Sequence, residues 1–515
     1  MAARRRWASA AGTLAGAILV ALAAGGDPGA AEDRERPPDV VLIMTDDQTV
    51  ESLRVMPRTR ELLAGEGTTF ANSFASYPLC CPSRATLLTG QYAHNSGVLG
   101  NRPPTGGYEK LRPTAGRTLP VWLARAGYET VHIGKYLNGY GAATPATEVP
   151  PGWTDWHGSV DPFTYRMWGY RLNENGVVRQ FGRPRVENPA LYGTDVYRDK
   201  AVAAIRSRPR SGKPLFLSVA FLAPHAEAGL PRGGPTVRSA PRHRGRLAAE
   251  PLLRPASFDE ADVSDKPPVL GEAFARLRPQ QIAQIRRAYR GRLESLLAVD
   301  EAVAAIVAAL RETGRLDDTL ILFTSDNGFF HGEHRVPNGK YLVYEPSVRV
   351  PLIARGPEIP RGRTSRELVA NVDLAATILD AAGARARGRT LDGRSLLPFA
   401  RRPSRRSDRA ILLETGQTAD SGDLDQDGGP GVTRPTLRRI PTYRAARTER
   451  FKYVEHSTGD RELYDLRRDP DELRSVHADP DYARTLGALR RELVRLRRCK
   501  GSACRRDARR IPGPR

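Results

Sequence analysis

The sequence is poor in sulfur and in aromatic rings. It holds four cysteines, four methionines and five tryptophans in 515 residues, and aromatics make up 7%. Four cysteines do not furnish a zinc-finger array, and no other nucleic-acid signature is present. No stretch beyond the N-terminus is apolar enough to cross a bilayer. There is no internal repeat, which excludes a solenoid or propeller of repeated units. Acidic residues are short too: 58 against 80 Lys and Arg, for a formal net charge of +22 and a pI near 10.2. Such a balance attracts polyanions, whether sulfated glycan, nucleic acid or anionic membrane. The basic residues run along the whole chain and arginine dominates, so solvated arginine from a GC-rich coding bias is the plainer account. The length allows one large α/β domain plus a smaller one.

The termini speak for export. Arg4-Arg5-Arg6 precede an apolar run from Ala8 to Ala24, and 25–31 has room for a cleavage site. Residues 1–31 read as a signal peptide, by the Sec or the twin-arginine route, with a retained N-terminal anchor as the alternative. The expected location is secreted or extracytoplasmic. In an exported protein Cys499 and Cys504, flanking a four-residue loop, read as a local disulfide.

Two strands share one design. Asp39 to Met44 is an apolar run that ends at Thr45-Asp46-Asp47-Gln48. Thr319 to Thr324 is another, ending at Ser325-Asp326-Asn327-Gly328. Continuous apolar runs suit buried parallel strands, and open α/β sheets bind ligands at the carboxyl ends of such strands. Asp46, Asp47, Asp326 and Asn327 then offer three carboxylates and an amide oxygen, a hard set fit for calcium or magnesium rather than zinc. Further strands are expected at 128–134, followed by Lys135, at 214–221, followed by Ala223-Pro224-His225, and at 347–354. Helices are expected at 56–65, 118–126, 195–206, 279–310, 366–382 and 480–498. Residues 141–190 read as a long loop and 227–275 as an irregular insertion. The domain reading is 38–403 for a catalytic domain, 404–435 for a polar linker and 436–515 for a small α+β subdomain with antiparallel strands. Within the linker, 423–428 has EF-hand-like spacing, but Arg434 takes the place of the later acidic ligand, so a solvated loop is the reading.

The most informative stretch is Cys80-Cys81-Pro82-Ser83-Arg84-Ala85-Thr86-Leu87-Leu88-Thr89-Gly90. Pro82 suits the first turn of a helix. Cys80 would then sit at the positive end of the helix dipole, a place that binds oxyanions and lowers a thiol pKa. Arg84 adds a planar fork for an oxyanion. A buried Cys-Cys pair beside an ordinary helix is the bland alternative.

This stretch resembles the signature C-x-P-S-R-x-x-x-L-T-G of type I sulfatases. Gly-Lys-Tyr-Leu-Asn at 134–138, Ala-Pro-His at 223–225, Ser-Asp-Asn-Gly at 325–328 and Arg-Val-Pro-Leu-Ile at 349–353 resemble N-acetylglucosamine-6-sulfatases and extracellular glucosamine-6-endosulfatases. The resemblance implies an alkaline-phosphatase-like α/β fold with a large mixed sheet flanked by helices. It implies hydrolysis of a sulfate ester on a sulfated carbohydrate or aryl sulfate, with calcium and with Cys80 oxidised to formylglycine (3-oxoalanine) by a formylglycine-generating enzyme. Asp46, Asp47, Asp326, Asn327 and the residue at Cys80 match the metal ligands. Arg84, Lys135 and Lys340 match groups that hold sulfate, and His225 the leaving-group acid. Where many sulfatases carry a His two residues past Lys135, this chain has Leu137, which leaves open the base toward the formylglycine hydrate; Asn138 or His334 is expected to contribute, and both are expected on the substrate side. The rival readings are a phosphate or phosphonate monoester hydrolase of the same superfamily and a non-catalytic basic glycan-binding protein.

Overall fold

The computed structural model describes residues 36–515, except 143, 185, 210–211, 231–235 and 417–439. The signal-peptide reading at 1–31 and the EF-hand-like spacing at 423–428 lie outside the described residues.

Among the described residues, fourteen strands follow in chain order. β1 is Asp39–Thr45, β2 Thr68–Phe74, β3 Glu129–Gly134, β4 Asp155–Ser159, β5 Tyr170–Glu174, β6 Val177–Phe181 and β7 Leu215–Ala220. β8 is Thr319–Ser325, β9 Leu352–Arg355, β10 Arg363–Ala370, β11 Ile411–Glu414, β12 Tyr443–Arg447, β13 Phe451–His456 and β14 Arg461–Asp465. The first ten make one mixed sheet in the order β10-β2-β9-β8-β1-β7-β3-β4-β5-β6. The last four make a smaller antiparallel sheet.

All seven residues of β1 are buried, because helices cover both faces of the large sheet. Alternation sorts its side chains. Val40, Leu42 and Met44 pack with Trp122 and Ile378 on one face, while Val41 and Ile43 pack with Val299, Val303 and Ile306 of helix Pro279–Glu312 on the other. Register then sets the site. β1 runs parallel to β8 with Thr45 opposite Ser325, so Asp46 and Asp326 leave the sheet side by side. β1 also runs parallel to β7, and β7 to β3 with Gly134 opposite Ala220. Gly134 has φ +99°, and a Cβ there would lie 2.2 Å from the Ala220 carbonyl oxygen. Only glycine allows that approach, and Lys135 follows directly.

Four parts of the chain differ from the sequence reading. Residues 141–190 are not one loop, since β4, β5 and β6 extend the sheet there. The overlooked signal is Asn175-Gly176, whose φ values of 51° and 97° suit the tight hairpin between β5 and β6. The 347–354 strand is confined to β9, because Pro346 opens a helical turn, Glu345–Val348. The 366–382 helix is really β10 followed by helix Asp373–Ala381, and the Asp373 carboxylate accepts from Ala370 N–H at the junction (2.9 Å). Short apolar runs do not separate strand from helix by period alone. Ile411–Glu414, inside the stretch read as polar linker, is strand β11.

Helix Ala483–Leu496 lays Leu489, Leu493 and Leu496 into the core of the small sheet, and Cys499 and Cys504 beyond it are joined in a disulfide. The two sheets are tied by Arg409, which is buried and grips Asp373 with two bonds, Nη1–Oδ2 2.5 Å and Nη2–Oδ1 2.8 Å. Removing one partner of a buried ion pair strands the other. Arg409→Ala is therefore expected to cost about 3–5 kcal/mol in urea unfolding. A loss below about 1 kcal/mol, the range of exposed pairs, would show that the pair carries little.

Candidate active site

Cys80 opens helix Cys80–Thr89, which ends at Gly90 in a left-handed conformation (φ 63°). The helix is buried along its whole length. Cys80 Sγ lies 3.5 Å from Asp46 Oδ1 and 3.2 Å from Lys340 Nζ. Cys81 faces away: its N–H donates to Asn101 Oδ1 (2.9 Å) and its side chain joins the core. Burial, and then the Asp46 charge, push the Cys80 thiol well above its ordinary pKa. The expected lowering by the helix terminus is overridden, because desolvation and a neighbouring carboxylate both disfavour the thiolate. Burial likewise pushes Cys81 up to about 12.

One turn on, Arg84 crosses to the strand ends. Its Nε donates to Asp326 Oδ2 (2.7 Å), Nη1 to the Lys135 carbonyl (2.8 Å), and Nη2 stands 3.5 Å from Asp46 Oδ2. Burial alone would lower the Arg84 pKa, but Asp326 and Asp46 hold it charged. Lys135 pairs with Asp46 and lies 4.6 Å over the Tyr165 ring. Lys340 donates to Asp47 Oδ1 (2.6 Å). Desolvation would raise the Asp47 pKa, yet Lys340, His225 and Arg292 together hold it well below the carboxylate range. Asp47 sits at φ 65°, unusual for a side-chain-bearing residue. Its N–H donates to Asp326 Oδ1 (3.1 Å) and its carbonyl accepts from Arg292 (2.8 Å), which fixes that turn.

His225 Nδ1 donates to the Ala226 carbonyl (2.7 Å), so Nε2 faces Asp47 Oδ2 at 3.6 Å. Ligand atoms of Asp46, Asp47, Cys80 and His225 all lie within 4.8 Å of one another. Asp326 is more occupied: besides Arg84, it accepts the N–H groups of Asp47 and Asn327. Asn327 donates through Nδ2 to Asp47 Oδ1 (2.5 Å) and leaves Oδ1 without a hydrogen-bond partner. Asp47 Oδ2 is a second buried acceptor with no hydrogen bond. These two oxygens, amid buried carboxylates, fit a hard divalent cation, which needs acceptors and no donors.

Asn138 lies beside this centre, its Nδ2 donating to Tyr165 OH (2.6 Å), and the Tyr165 ring sits 4.7 Å from that of His225. Leu137 is buried in the core. His334 is engaged elsewhere: Nδ1 bonds Glu260 (2.7 Å) and the ring packs on Tyr344 at 4.3 Å. Sequence reasoning missed Arg292 and Tyr165. Arg292 is one of 80 basic residues and carries no motif. Tyr165 falls in the aromatic stretch read as loop packing.

The family model described as Sulfatase matches residues 38–384. An arylsulfatase of Volvox carteri is 33% identical over 507 residues, covering 91% of this chain and 75% of the relative. The human N-acetylglucosamine-6-sulfatase is 32% identical over 498 residues, covering 91% and 86%. Among solved structures, a protein in complex with its substrate, D-glucosamine-2-N,6-O-disulfate, superposes with a TM-score of 0.72 at 24% identity, over 91% of this chain and 98% of that one. The motif, the extent of the match and the sheet agree, and the chain belongs to the sulfatase family of sulfuric ester hydrolases.

Proposed function

We propose that this hydrolase is exported and removes sulfate from a sulfated carbohydrate of the 6-sulfated glucosamine type, through formylglycine at position 80 and a bound calcium ion. One observation carries the reading. Three buried cations, Arg84, Lys135 and Lys340, meet three buried carboxylates around Cys80. A divalent cation among the carboxylates would add further positive charge to this cluster, as a sulfate ester requires.

Asp46, Asp47, Asp326 and Asn327 would hold the ion, which when bound supplies Lewis acidity at the sulfate oxygens. Formylglycine at position 80, made by a formylglycine-generating enzyme, would supply an oxygen nucleophile in place of sulfur. Lys135 stands at Asp46 and Lys340 at Asp47, where their ammonium groups would meet the sulfate oxygens. Arg84 holds Asp326 in place and would hold the formylglycine at position 80 and its sulfate. His225 presents Nε2 inward with Nδ1 fixed, the arrangement for passing a proton to the departing alcohol oxygen. The carbohydrate reading rests on the likeness to N-acetylglucosamine-6-sulfatases. Export rests on the N-terminal pattern and on the Cys499–Cys504 bond, which persists in oxidising compartments.

The test compares purified, matured enzyme on glucosamine-6-sulfate, an aryl sulfate and an aryl phosphate. Sulfate release is expected from the first two, with kcat/KM on aryl sulfate at least about 10²-fold above aryl phosphate. A preference for phosphate would replace the sulfatase reading with the phosphomonoesterase one. Turnover of the aryl but not the sugar ester would refute the carbohydrate assignment.

A further inference from the structure

We infer that the C-terminal helix and tail form a docking strip for a sulfated polysaccharide chain, separate from the reaction centre. The inference rests on the carbohydrate reading above for its choice of polyanion. Between residues 483 and 515 stand twelve Lys and Arg against two acids, close to half of the formal net charge of +22. Eleven of the twelve cations are arginine. Charge here is sorted by face. Helix Ala483–Leu496 buries its leucines, while Arg484 and Arg491 are exposed seven residues apart, and Arg498 continues the spacing just past the helix end. Seven residues are two turns, so successive members drift only about 20° around the axis and stand about 10.5 Å apart along it. Of the neighbouring row, Arg490 and Arg497 reach Glu455 at 3.8 and 3.5 Å. Arg484, Arg491 and Arg498 have no acidic partner among the described residues. Arg505, Arg509 and Arg510 in the tail that follows are exposed too.

The strip is fixed in place. The Cys499 carbonyl accepts from His94 Nε2 (3.0 Å) and Asn95 Nδ2 (2.8 Å), and Gly501 N–H donates to Asp392 (2.6 Å). His94 and Asn95 lie in the turn just after helix Cys80–Thr89, so the arginines are held on a rigid support bonded to the segment that follows the reaction centre.

The chemistry of the strip selects the occupant. Arginine forks pair with the paired oxygens of sulfate. A membrane surface calls for apolar side chains beside the basic ones, and no exposed large hydrophobic among the described residues lies in 483–515. Single-stranded nucleic acid calls for aromatic platforms, and 483–515 contain no Trp, Tyr or Phe. A polymer carrying regularly spaced sulfates matches regularly spaced, unneutralised arginines.

The experiment measures heparin binding by the full-length mature protein. The variants are Arg484→Glu/Arg491→Glu/Arg498→Glu and a control with the same charge change on exposed arginines outside the strip, Arg60→Glu/Arg125→Glu/Arg287→Glu. The ladder variant should weaken Kd about tenfold or more at physiological salt, and the control by about threefold or less, because local charge is felt within a Debye length of about 8 Å. Equal losses would mean attraction to net charge and would overturn the strip, as would unchanged binding by the ladder variant. An Arg→Gln ladder variant with a native melting temperature guards against misfolding and should weaken binding in the same direction. Phosphatidylserine vesicles and a DNA duplex run alongside, and binding of either as tight as heparin through the same arginines would reject the glycan. Aryl sulfate turnover reports the reaction centre separately. If no sulfate ester is hydrolysed, the functional reading fails while the heparin result still decides the strip.

Discussion

Cys80→Ala is expected to abolish sulfate-ester hydrolysis, with kcat on an aryl sulfate falling by about 10⁴-fold or more, as when a nucleophile is removed. Cys81→Ala should keep most of its activity. The two cysteines are neighbours in sequence and opposites in space. Successive helical residues turn about 100°, which sends Cys80 to Lys340 and Asp46 and sends Cys81 into the core with Trp122 and Leu137. Only Cys80 meets the charged cluster. Mass spectrometry of the tryptic peptide 61–84 should find an aldehyde or its hydrate at Cys80 and an unmodified Cys81. Cys80→Ser should bind substrate and stall, since a serine ester lacks the second hydroxyl that lets sulfate depart. Conversion at Cys81 instead, or normal turnover by Cys80→Ala, would sink the mechanism.

How far the sequence discloses this centre depends on where each contact comes from. Asp46, Asp47, Asp326 and Asn327 are legible because each pair ends a continuous apolar strand, and parallel pairing brings the ends together. Cys80 and Arg84 are legible because motif and helix start coincide. Arg292 is not, because it reaches Asp47 from the middle of a 34-residue helix whose placement is a tertiary fact. The direction of the Cys80 pKa shift was not legible either. A helix dipole is local, but the burial and the Asp46 charge that override it come from elsewhere in the fold. The strands at the sheet margin escaped for the opposite reason. β6 is largely exposed, so it carries no apolar alternation, and only the Asn-Gly turn marks it. Within β10, Leu368-Val369-Ala370 adjoins a real helix, and composition alone joined the two.

Asp326→Asn is expected to remove calcium binding and activity together, and to destabilise the metal-free protein as well. The native carboxylate does three jobs at once. Oδ2 accepts from Arg84 Nε at 2.7 Å, Oδ1 accepts from Asp47 and Asn327 N–H, and the charge offsets a fully buried guanidinium. An amide of the same shape keeps one acceptor but turns an NH₂ or a neutral oxygen toward Arg84, whose other carboxylate, Asp46, is 3.5 Å away and already paired with Lys135. Stranding a buried charge in this way costs about 3–5 kcal/mol. Urea unfolding in chelator should show a loss of that order, and calcium, expected to stabilise the native protein by mass action, should no longer restore it. Calcium affinity measured by calorimetry should fall about 10²-fold or more, since a charged ligand is lost from the proposed four-residue set. Asn327→Ala provides the contrast. It deletes the proposed neutral ligand and its hydrogen bonds to Asp47 and the Gly328 carbonyl while leaving the Arg84–Asp326 pair intact, so it should weaken calcium binding with a smaller loss of metal-free stability. Asp326→Asn protein that binds one calcium with native affinity would remove Asp326 from the ligand set. Native stability in chelator would show instead that Arg84 finds its counter-charge at Asp46.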